Sequence, residues 1–247
     1  MKPRELITIN SLASVPQMPI WGTVEVLFLD VDYTVLDFDK GHKAGIQAIS
    51  EMLGEPIGNE VSRIFYKVLK TKSGLLTADA EYQQILDDSD GRIWSRERLI
   101  QIALNNLKLE LSPNMVIDGS DTYWHHLGLN SGLYSDATLL LDNAKAGRKN
   151  IVWVTDSDHH LEYDSKLLKY TYDPIISRVK KEYRLKTLIN RYPGDLFIGD
   201  PVGKPKMWSE VFSRVSFNVE TSVAIGDGNN DVVPLVERGG RGLLINR

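Results

Sequence analysis

The sequence predicts an open α/β fold, with a parallel sheet at its core and a group of helices inserted after the first strand. Short, continuous apolar runs recur along the chain, as expected of strands that are buried on both faces of a parallel sheet. Helix-like patterns lie between the later runs, and strands that alternate with helices are typical of open α/β sheets. A long segment with helical spacing of its apolar residues separates the first two runs, which indicates an inserted subdomain.

Each predicted strand is a short run rich in apolar and β-branched residues; in chain order the runs are 24–29, 151–154, 196–198, 222–225 and 243–245. Helical spacing predicts a helix at 138–146, before the second strand, and another at 207–215, before the fourth. Between the first and second strands, apolar residues recur at helical spacing over 43–53, 61–69 and 94–107.

These elements define the predicted domain organisation. Residues 22–38 and 133–247 form a Rossmann-like core, and residues 39–132 form an all-helical cap inserted into it. Residues 1–21 form an N-terminal extension that we expect to pack loosely or not at all.

The composition excludes several classes of protein. The chain of 247 residues, 42% of them hydrophobic, suffices for one large domain or for a domain that carries a smaller one. There is no cysteine, which excludes disulfides, thiolate catalysis and cysteine-ligated metals. A net charge of −4 without a block of Lys or Arg argues against a nucleic-acid-binding face.

The sequence also argues against a membrane partner. No apolar run reaches the roughly 20 residues that a membrane span needs. Glu5, Asn10 and Pro16 interrupt any apolar stretch of the kind that a secretory signal contains. Because a lack of cysteine also fits a reducing compartment, we expect a cytoplasmic setting.

Two carboxylates follow the first predicted strand, in the run Asp30-Val31-Asp32-Tyr33-Thr34. Ligands of open α/β folds bind at the carboxyl ends of strands. Beyond the strand end, residues two apart can both turn toward a bound group, so one carboxylate can attack while the other handles a proton. The alternative is a surface loop whose acidic residues have no chemical role.

Two more carboxylates, Asp227 and Asp231, follow the fourth predicted strand in the run GDGNND. They would lie at the same edge of the sheet, where a hard cation with oxygen ligands is their natural partner. Mg²⁺ suits a site that also holds a phosphate. Taken alone, the run could equally be an Asn/Gly turn followed by a helix cap.

Two weaker signals lie between these motifs. Thr155 and Asp156 end the second predicted strand, where a hydroxyl and backbone N–H groups can hold phosphate oxygens. Gly203-Lys204-Pro205 opens the helix before the fourth strand, and Pro205 suits a first helical turn. Lys204 would place a positive charge beside the carboxylates, with Lys206 as the competing choice.

Taken together and in this order, the motifs resemble the haloacid dehalogenase-like superfamily, whose members are mostly phosphatases. The resemblance covers the whole chain except the N-terminal extension. The helical insertion after the first motif looks like that superfamily's cap between its first and second motifs. The resemblance therefore implies an aspartyl-phosphate mechanism on a small phosphorylated metabolite.

The resemblance implies a role for each motif residue. Asp30 would be the nucleophile, and Asp32 would protonate the leaving oxygen and then activate the hydrolytic water. Lys204 would neutralise Asp30 and the phosphate. The residues that would support or bind the phosphoryl group are Thr34, Thr155, Asp156 and Asn230.

The resemblance also implies a Mg²⁺ site. Asp227 would bind the metal together with Asp30 and the backbone carbonyl of Asp32, and Asp231 would be a supporting or alternative ligand. Several carboxylates and a phosphate repel one another strongly at short range, so Mg²⁺ and one lysine are the least compensation expected.

Two segments depart from the superfamily pattern. Tyr33 occupies a position where the superfamily often has glycine, and its ring would either reach the substrate or pack. The basic segment 180–186 is expected to be a solvated helix face, with a docking surface as the alternative.

Other activities remain open from the sequence. A phosphomutase would use the same aspartyl-phosphate, and a receiver-like phospho-acceptor would carry a similar acidic cluster without catalysis. Dehalogenases of this superfamily lack the second aspartate, so Asp32 favours a phosphatase over a dehalogenase. The oligomeric state cannot be read from the sequence.

Overall fold

The computed structural model describes residues 5–200 and 204–247. Its contacts divide the chain into two compact units. The sheet unit comprises Met1–Asp39, Ser131–Ser157 and Lys181–Arg247, and the helical unit comprises Lys40–Asn130 and Asp158–Lys180.

In chain order the strands are β1 (Glu5–Ile9), β2 (Val26–Leu29), β3 (Asn150–Asp156), β4 (Leu161–Asp164), β5 (Lys169–Tyr172), β6 (Asp195–Gly199), β7 (Ser222–Gly226) and β8 (Arg241–Ile245). The α-helices are α1 (Phe38–Leu53), α2 (Glu55–Lys72), α3 (Ala80–Asp88), α4 (Arg96–Leu107), α5 (Pro113–Asn130), α6 (Ser135–Ala146), α7 (Pro174–Arg191), α8 (Lys204–Arg214) and α9 (Asn229–Glu237).

The sheet unit is built on a parallel sheet, which confirms the predicted fold class. Over the described residues this sheet has six strands in the order β1-β8-β7-β2-β3-β6. All five predicted strands and all five predicted helices are present, with ends that differ by a few residues. The central strands are buried on both faces: Leu27 and Leu29 pack on one side of β2, and Val26 and Phe28 pack on the other.

The expectation that the N-terminal residues pack loosely is wrong. Strand β1 pairs in parallel with β8, with Ile9 opposite Ile245. The 3₁₀ turns that follow bury Leu12 and Val15 completely or nearly so. An edge strand pairs along one side only, so it needs little apolar sequence and gives a weak signal.

The helical unit contains the predicted helices α1, α2 and α4, although α1 starts in the sheet unit, together with α3 and α5. It also contains the antiparallel hairpin of β4 and β5, which the predicted boundaries placed in the core. Strand β4 packs against α5 and buries Leu161, which explains why 158–180 groups with the helices. Both strands are short and rich in polar residues, so sequence periodicity does not reveal them.

Two helices carry residues that matter for the candidate site. Helix α7 contributes residues up to Lys180 to the helical unit and residues from Lys181 onward to the sheet unit. Helix α8 begins at Lys204, so Pro205 stands in its first turn as predicted, while Gly203 lies outside the described residues. No helix within the described ranges has both the length and the apolar character needed to cross a membrane.

Candidate active site

The candidate site lies in the sheet unit, at the carboxyl ends of three neighbouring parallel strands. Asp30 directly follows β2, and its backbone N–H donates to the carbonyl of Ile225 in β7. Thr155 and Asp156 end β3, and Asp227 directly follows β7. Because β2 lies between β3 and β7, the sheet topology brings together motifs that are far apart in sequence.

Asp30 is the buried centre of this site, with only 5% of its surface exposed. The Thr34 hydroxyl donates to its Oδ2 over 2.9 Å, and the Lys204 ammonium donates to its Oδ1 over 2.7 Å. Burial raises the pKa of Asp30 to about 6; Lys204 opposes this shift, and the carboxylates of Asp231 and Asp32 add to it. Asp30 is thus fixed in orientation at both oxygens.

Lys204 joins two of the carboxylates. Its Nζ donates to Asp231 as well as to Asp30, and its side chain is largely buried. Burial alone would lower its pKa, but Asp30, Asp231 and Asp156 hold it well above the usual value, so Lys204 stays cationic. Lys206, the competing choice, is exposed.

Asp231 and Asp227 complete an acidic cluster with Asp30. One carboxylate oxygen from each of the three lies within 4.8 Å of the others. The Gly228 N–H donates to Asp231 Oδ2 over 2.9 Å, so the acid also caps α9, as the alternative interpretation of GDGNND expected. Glycine is required at Gly226, because a Cβ there would lie 2.2 Å from the Cβ of Asp231.

Asp227 differs from the other two acids because it is exposed to solvent. Its pKa is nevertheless raised to about 8. The largest cause is that the surrounding protein partly desolvates the carboxyl group, and the next is repulsion from the charges of Asp30 and Asp231. Two neighbouring carboxyl groups with raised pKa values, beside a third acid, form a site that favours a cation. An all-oxygen donor set of this kind fits Mg²⁺.

Asp32 has an environment that the sequence does not predict. Lys181 donates to its Oδ2 over 2.6 Å, and Arg184 donates to Oδ1 over 3.0 Å and to Oδ2 over 2.7 Å. Burial would raise the pKa of Asp32, but Arg184 and Lys181 outweigh burial and hold it well below its usual range. In this arrangement Asp32 is a carboxylate. Its side chain is engaged by cations, which leaves the backbone carbonyl for any metal contact.

The expectation that 180–186 is a solvated helix face is therefore wrong for two of its residues. The side chains of Lys181 and Arg184 are 2% and 7% exposed, respectively. They lie three positions apart on α7 and so share a face. Lys186 is exposed as predicted, and Lys180 donates to Asp121 within the helical unit. The spacing of the two cations was visible in the sequence, but nothing there linked them to Asp32.

The remaining predicted residues occupy different surroundings. Thr34 is fully buried and bonded to Asp30, so it orients that carboxylate and is not available to a substrate. Thr155 is also buried, at 2% exposure. Asp156 has a buried Oδ1 with no hydrogen-bond partner among residues 5–200 and 204–247, and burial raises its pKa to about 7. Asn230 is exposed in the first turn of α9.

Tyr33 packs against its neighbours. Its ring lies 5.1 Å from that of Phe38, and its hydroxyl donates to Asp39 over 3.3 Å. Its φ of 60° lies in the left-handed region, where a non-glycine residue is strained. The backbone thus has the conformation that would explain glycine at this position in the superfamily.

Comparison with known proteins supports the fold assignment. No protein-family model matches the sequence, and no curated protein sequence matches it. Among solved structures, a magnesium-bound HAD-hydrolase of Bacillus subtilis, YfnB, is similar with a TM-score of 0.56 at 16% identity, over 89% of this chain and 85% of that one.

Two further structures agree with it. A 2-haloacid dehalogenase of Pseudomonas syringae has a TM-score of 0.52 at 13% identity, over 90% of this chain and 86% of that one. A haloacid dehalogenase-like hydrolase of Xanthomonas campestris has a TM-score of 0.51 at 13% identity, over 90% and 81%. The chain has the haloacid dehalogenase-like (HAD) fold. At these identities the similarity shows the HAD fold, and the activity has to be argued from the chemistry of the site.

Proposed function

We propose that this protein is a Mg²⁺-dependent phosphomonoester hydrolase that acts through an aspartyl-phosphate on a small phosphorylated metabolite. The observation that carries the proposal is the buried carboxylate of Asp30, held by Thr34 and Lys204 at the end of β2 beside two further acids. A fixed carboxylate next to a cation is what in-line attack on a phosphate requires.

The reaction would proceed in two steps. A carboxylate oxygen of Asp30 attacks phosphorus, the ester P–O bond breaks, and the leaving oxygen takes up a proton. Water then attacks the phosphorus of the aspartyl-phosphate, loses a proton to a base, and inorganic phosphate leaves as Asp30 is restored. Lys204 remains cationic throughout and offsets the charge that develops on the phosphoryl oxygens.

The acidic cluster would hold the metal. Asp30 and Asp227 are the proposed ligands, together with the backbone carbonyl of Asp32, and Asp231 is a supporting or alternative one. When bound, Mg²⁺ would neutralise the phosphate and polarise its oxygens. Thr155, Asp156 and Asn230 are the proposed contacts of the substrate.

Asp32 is the proposed acid and base. As a carboxylate held by Lys181 and Arg184 it suits the second step, in which it receives a proton from water. Acting as the acid in the first step requires that Asp32 take up a proton, which both cations oppose. Asp32 also favours a phosphatase over a dehalogenase, the activity named for the Pseudomonas syringae relative.

The proposal includes no nucleic-acid or membrane partner, since the chain carries a net charge of −4. We place the activity in the cytoplasm because a chain without cysteine fits a reducing compartment.

An assay on p-nitrophenyl phosphate, with and without Mg²⁺, tests the proposal. We expect Asp30→Asn to lose activity by about a thousandfold or more, because the variant lacks the nucleophile. Asp195→Asn, which changes an exposed aspartate at the opposite end of a strand, serves as the matched control and should keep full activity. Metal-independent turnover, or full activity of Asp30→Asn, would overturn the mechanism. Release of inorganic phosphate without a bisphosphate activator would exclude a phosphomutase.

A further inference from the structure

The helical unit contains a cavity of about 600 Å³ that shares no residue with the acidic cluster. The cavity lies between the loop that follows α3, the first half of α4, and strand β5. The residues that matter for its chemistry are Asp90, Arg92, Arg98, Lys169, Tyr170 and Tyr172. A volume of this size is in the range of pockets that hold small organic ligands.

The lining of the cavity is cationic. Three positively charged residues, Arg92, Arg98 and Lys169, face a single acid, Asp90. Arg92 forms an ion pair with that acid. Within the described ranges, no carboxylate lies within 4 Å of the charged groups of Arg98 or Lys169, although Asp164 is the cross-strand partner of Lys169.

Arg98 provides an independent indication of a ligand. Its Nη1 donates to the neutral side chain of Gln101 over 2.8 Å, and the charged group lies 5.8 Å from the centre of the Tyr170 ring. Its Nε is buried and has no acceptor in the part of the chain that the structure describes. A buried charged donor without an acceptor is costly, and an anion in the cavity would supply that acceptor.

The tyrosines give the cavity a second, less polar side. Tyr170 and Tyr172 of β5 both line the cavity. Aromatic rings of this kind pack against the organic part of a ligand, and their hydroxyls can bond to it.

We propose that this cavity binds a small phosphorylated molecule, with Arg98 and Lys169 on the phosphate and Tyr170 and Tyr172 against the organic part. A phosphate dianion matches Arg98 and Lys169, neither of which has a carboxylate within 4 Å among the described residues, and guanidinium groups suit phosphate geometry. The site consists only of residues of the helical unit, so it does not depend on the proposed phosphatase activity.

Calorimetric titration of the full chain with phenylphosphonate, which resists hydrolysis, tests this proposal. We expect Arg98→Met and Lys169→Ala each to weaken binding by about tenfold or more, the loss expected for a charge-assisted hydrogen bond. Arg63→Met changes an arginine of the same unit that is paired with Glu60 outside the cavity, and it should bind as wild type does. Methylphosphonate should bind more weakly than phenylphosphonate, because it lacks the ring.

Titrations of two variants decide whether the ligand binds in this cavity or at the acidic site. Lys204→Met removes the cation of the acidic site and should leave this binding intact, so loss of all binding in Lys204→Met would locate the anion at the acidic site and overturn the proposal. Wild-type affinity in Lys169→Ala would also overturn it, and that exposed position carries little risk to folding. Because binding is measured directly, failure of the phosphatase assay would leave this result unaffected.

Discussion

Asp32 owes its charge state to two residues that lie about 150 positions away in the chain. The hydrogen bonds from Lys181 and Arg184 fix both of its oxygens, and Arg184 does so with the two-pronged geometry that guanidinium groups offer. An acid or base acts efficiently only when it is held in position, so these two cations matter to catalysis although the motifs do not include them.

Replacing Arg184 should therefore reduce activity. In Arg184→Met, Asp32 keeps one cation, its pKa rises toward the usual range, and its orientation is less restricted. We expect kcat for p-nitrophenyl phosphate to fall about tenfold to a hundredfold, which is part of the roughly 10²–10⁴-fold that a positioned acid or base contributes. Lys186→Met, on the exposed face of the same helix, is the control. Equal activity of the two variants would show that Arg184 does not act through Asp32.

His42 is a buried base in the helical unit. It is fully inaccessible to solvent, its ring stacks on Phe65 at 4.1 Å, and its Nδ1 lies 2.8 Å from the Tyr123 hydroxyl oxygen. Burial first, and the charges of Arg96 and Lys43 next, lower its pKa to about 3. The folded protein therefore holds His42 neutral.

This neutral histidine makes stability depend on pH. In the unfolded chain His42 takes up a proton near pH 6.5, whereas in the folded chain it does so only near pH 3, so the unfolded state binds more protons between these values. We expect the free energy of unfolding to fall as pH drops below about 6.5, by up to about 1.4 kcal/mol per pH unit from this group. Urea unfolding of wild type and His42→Gln between pH 4.5 and 7.5 measures it. Parallel pH profiles would contradict the prediction.

At the scale of elements, the N-terminal segment is part of the core of the sheet unit. Leu12 is fully buried, and its backbone N–H donates to Asp136 over 2.8 Å. Arg247 bonds to the same carboxylate over 2.9 Å, which links the segment to α6 and to the end of the sheet.

Truncating Leu12 should consequently be costly. We expect Leu12→Ala to lower the free energy of unfolding by about 2–5 kcal/mol, as for other fully buried leucines. Leu6→Ala is the matched control, because Leu6 is 46% exposed on β1 and should change stability by less than about 1 kcal/mol. Thermal unfolding gives the melting temperatures of the two variants. Equal melting temperatures would mean that the Leu12 side chain does not contribute to the core.

The backbone at the junction of β7 and α9 is closely packed against Asp231. A Cβ at Gly226 would overlap Asp231, which caps the helix and contacts Lys204. We expect Gly226→Ala to cost about 1–3 kcal/mol through overpacking and to reduce phosphatase activity by displacing Asp231. Gly22→Ala is the control, since a Cβ there meets nothing within 4 Å. Unchanged activity and stability in Gly226→Ala would contradict the prediction, because α9 would then accept the added Cβ without displacing Asp231 from its contacts.

At the scale of the whole molecule, the sequence predicts what depends on local patterns. Apolar runs mark β2, β3 and β7 because these strands are buried on both faces, and polar residues at their ends then have to meet at one edge. The approach of Lys204 to Asp30 followed from the same topology.

The missed features depend on contacts between distant segments. Strand β1 is stabilised by β8, and the hairpin of β4 and β5 is stabilised by α5, so neither shows a strong local pattern. Lys181 and Arg184 look like any exposed helix face until the fold brings Asp32 to them. Sequence periodicity reports burial along one segment and carries no information about which side chains from two segments meet.

The pairing of β1 with β8 has a consequence for biosynthesis. Strands β1 and β8 lie far apart in the chain, so synthesis from the N-terminus releases β1 long before its partner. The six-stranded sheet of the described residues therefore cannot be completed until β8 has left the ribosome. Most of the helical unit, by contrast, comes from the continuous stretch Lys40–Asn130. During synthesis β1 stays unpaired until β8 emerges, so closing this edge of the sheet is a late step in folding.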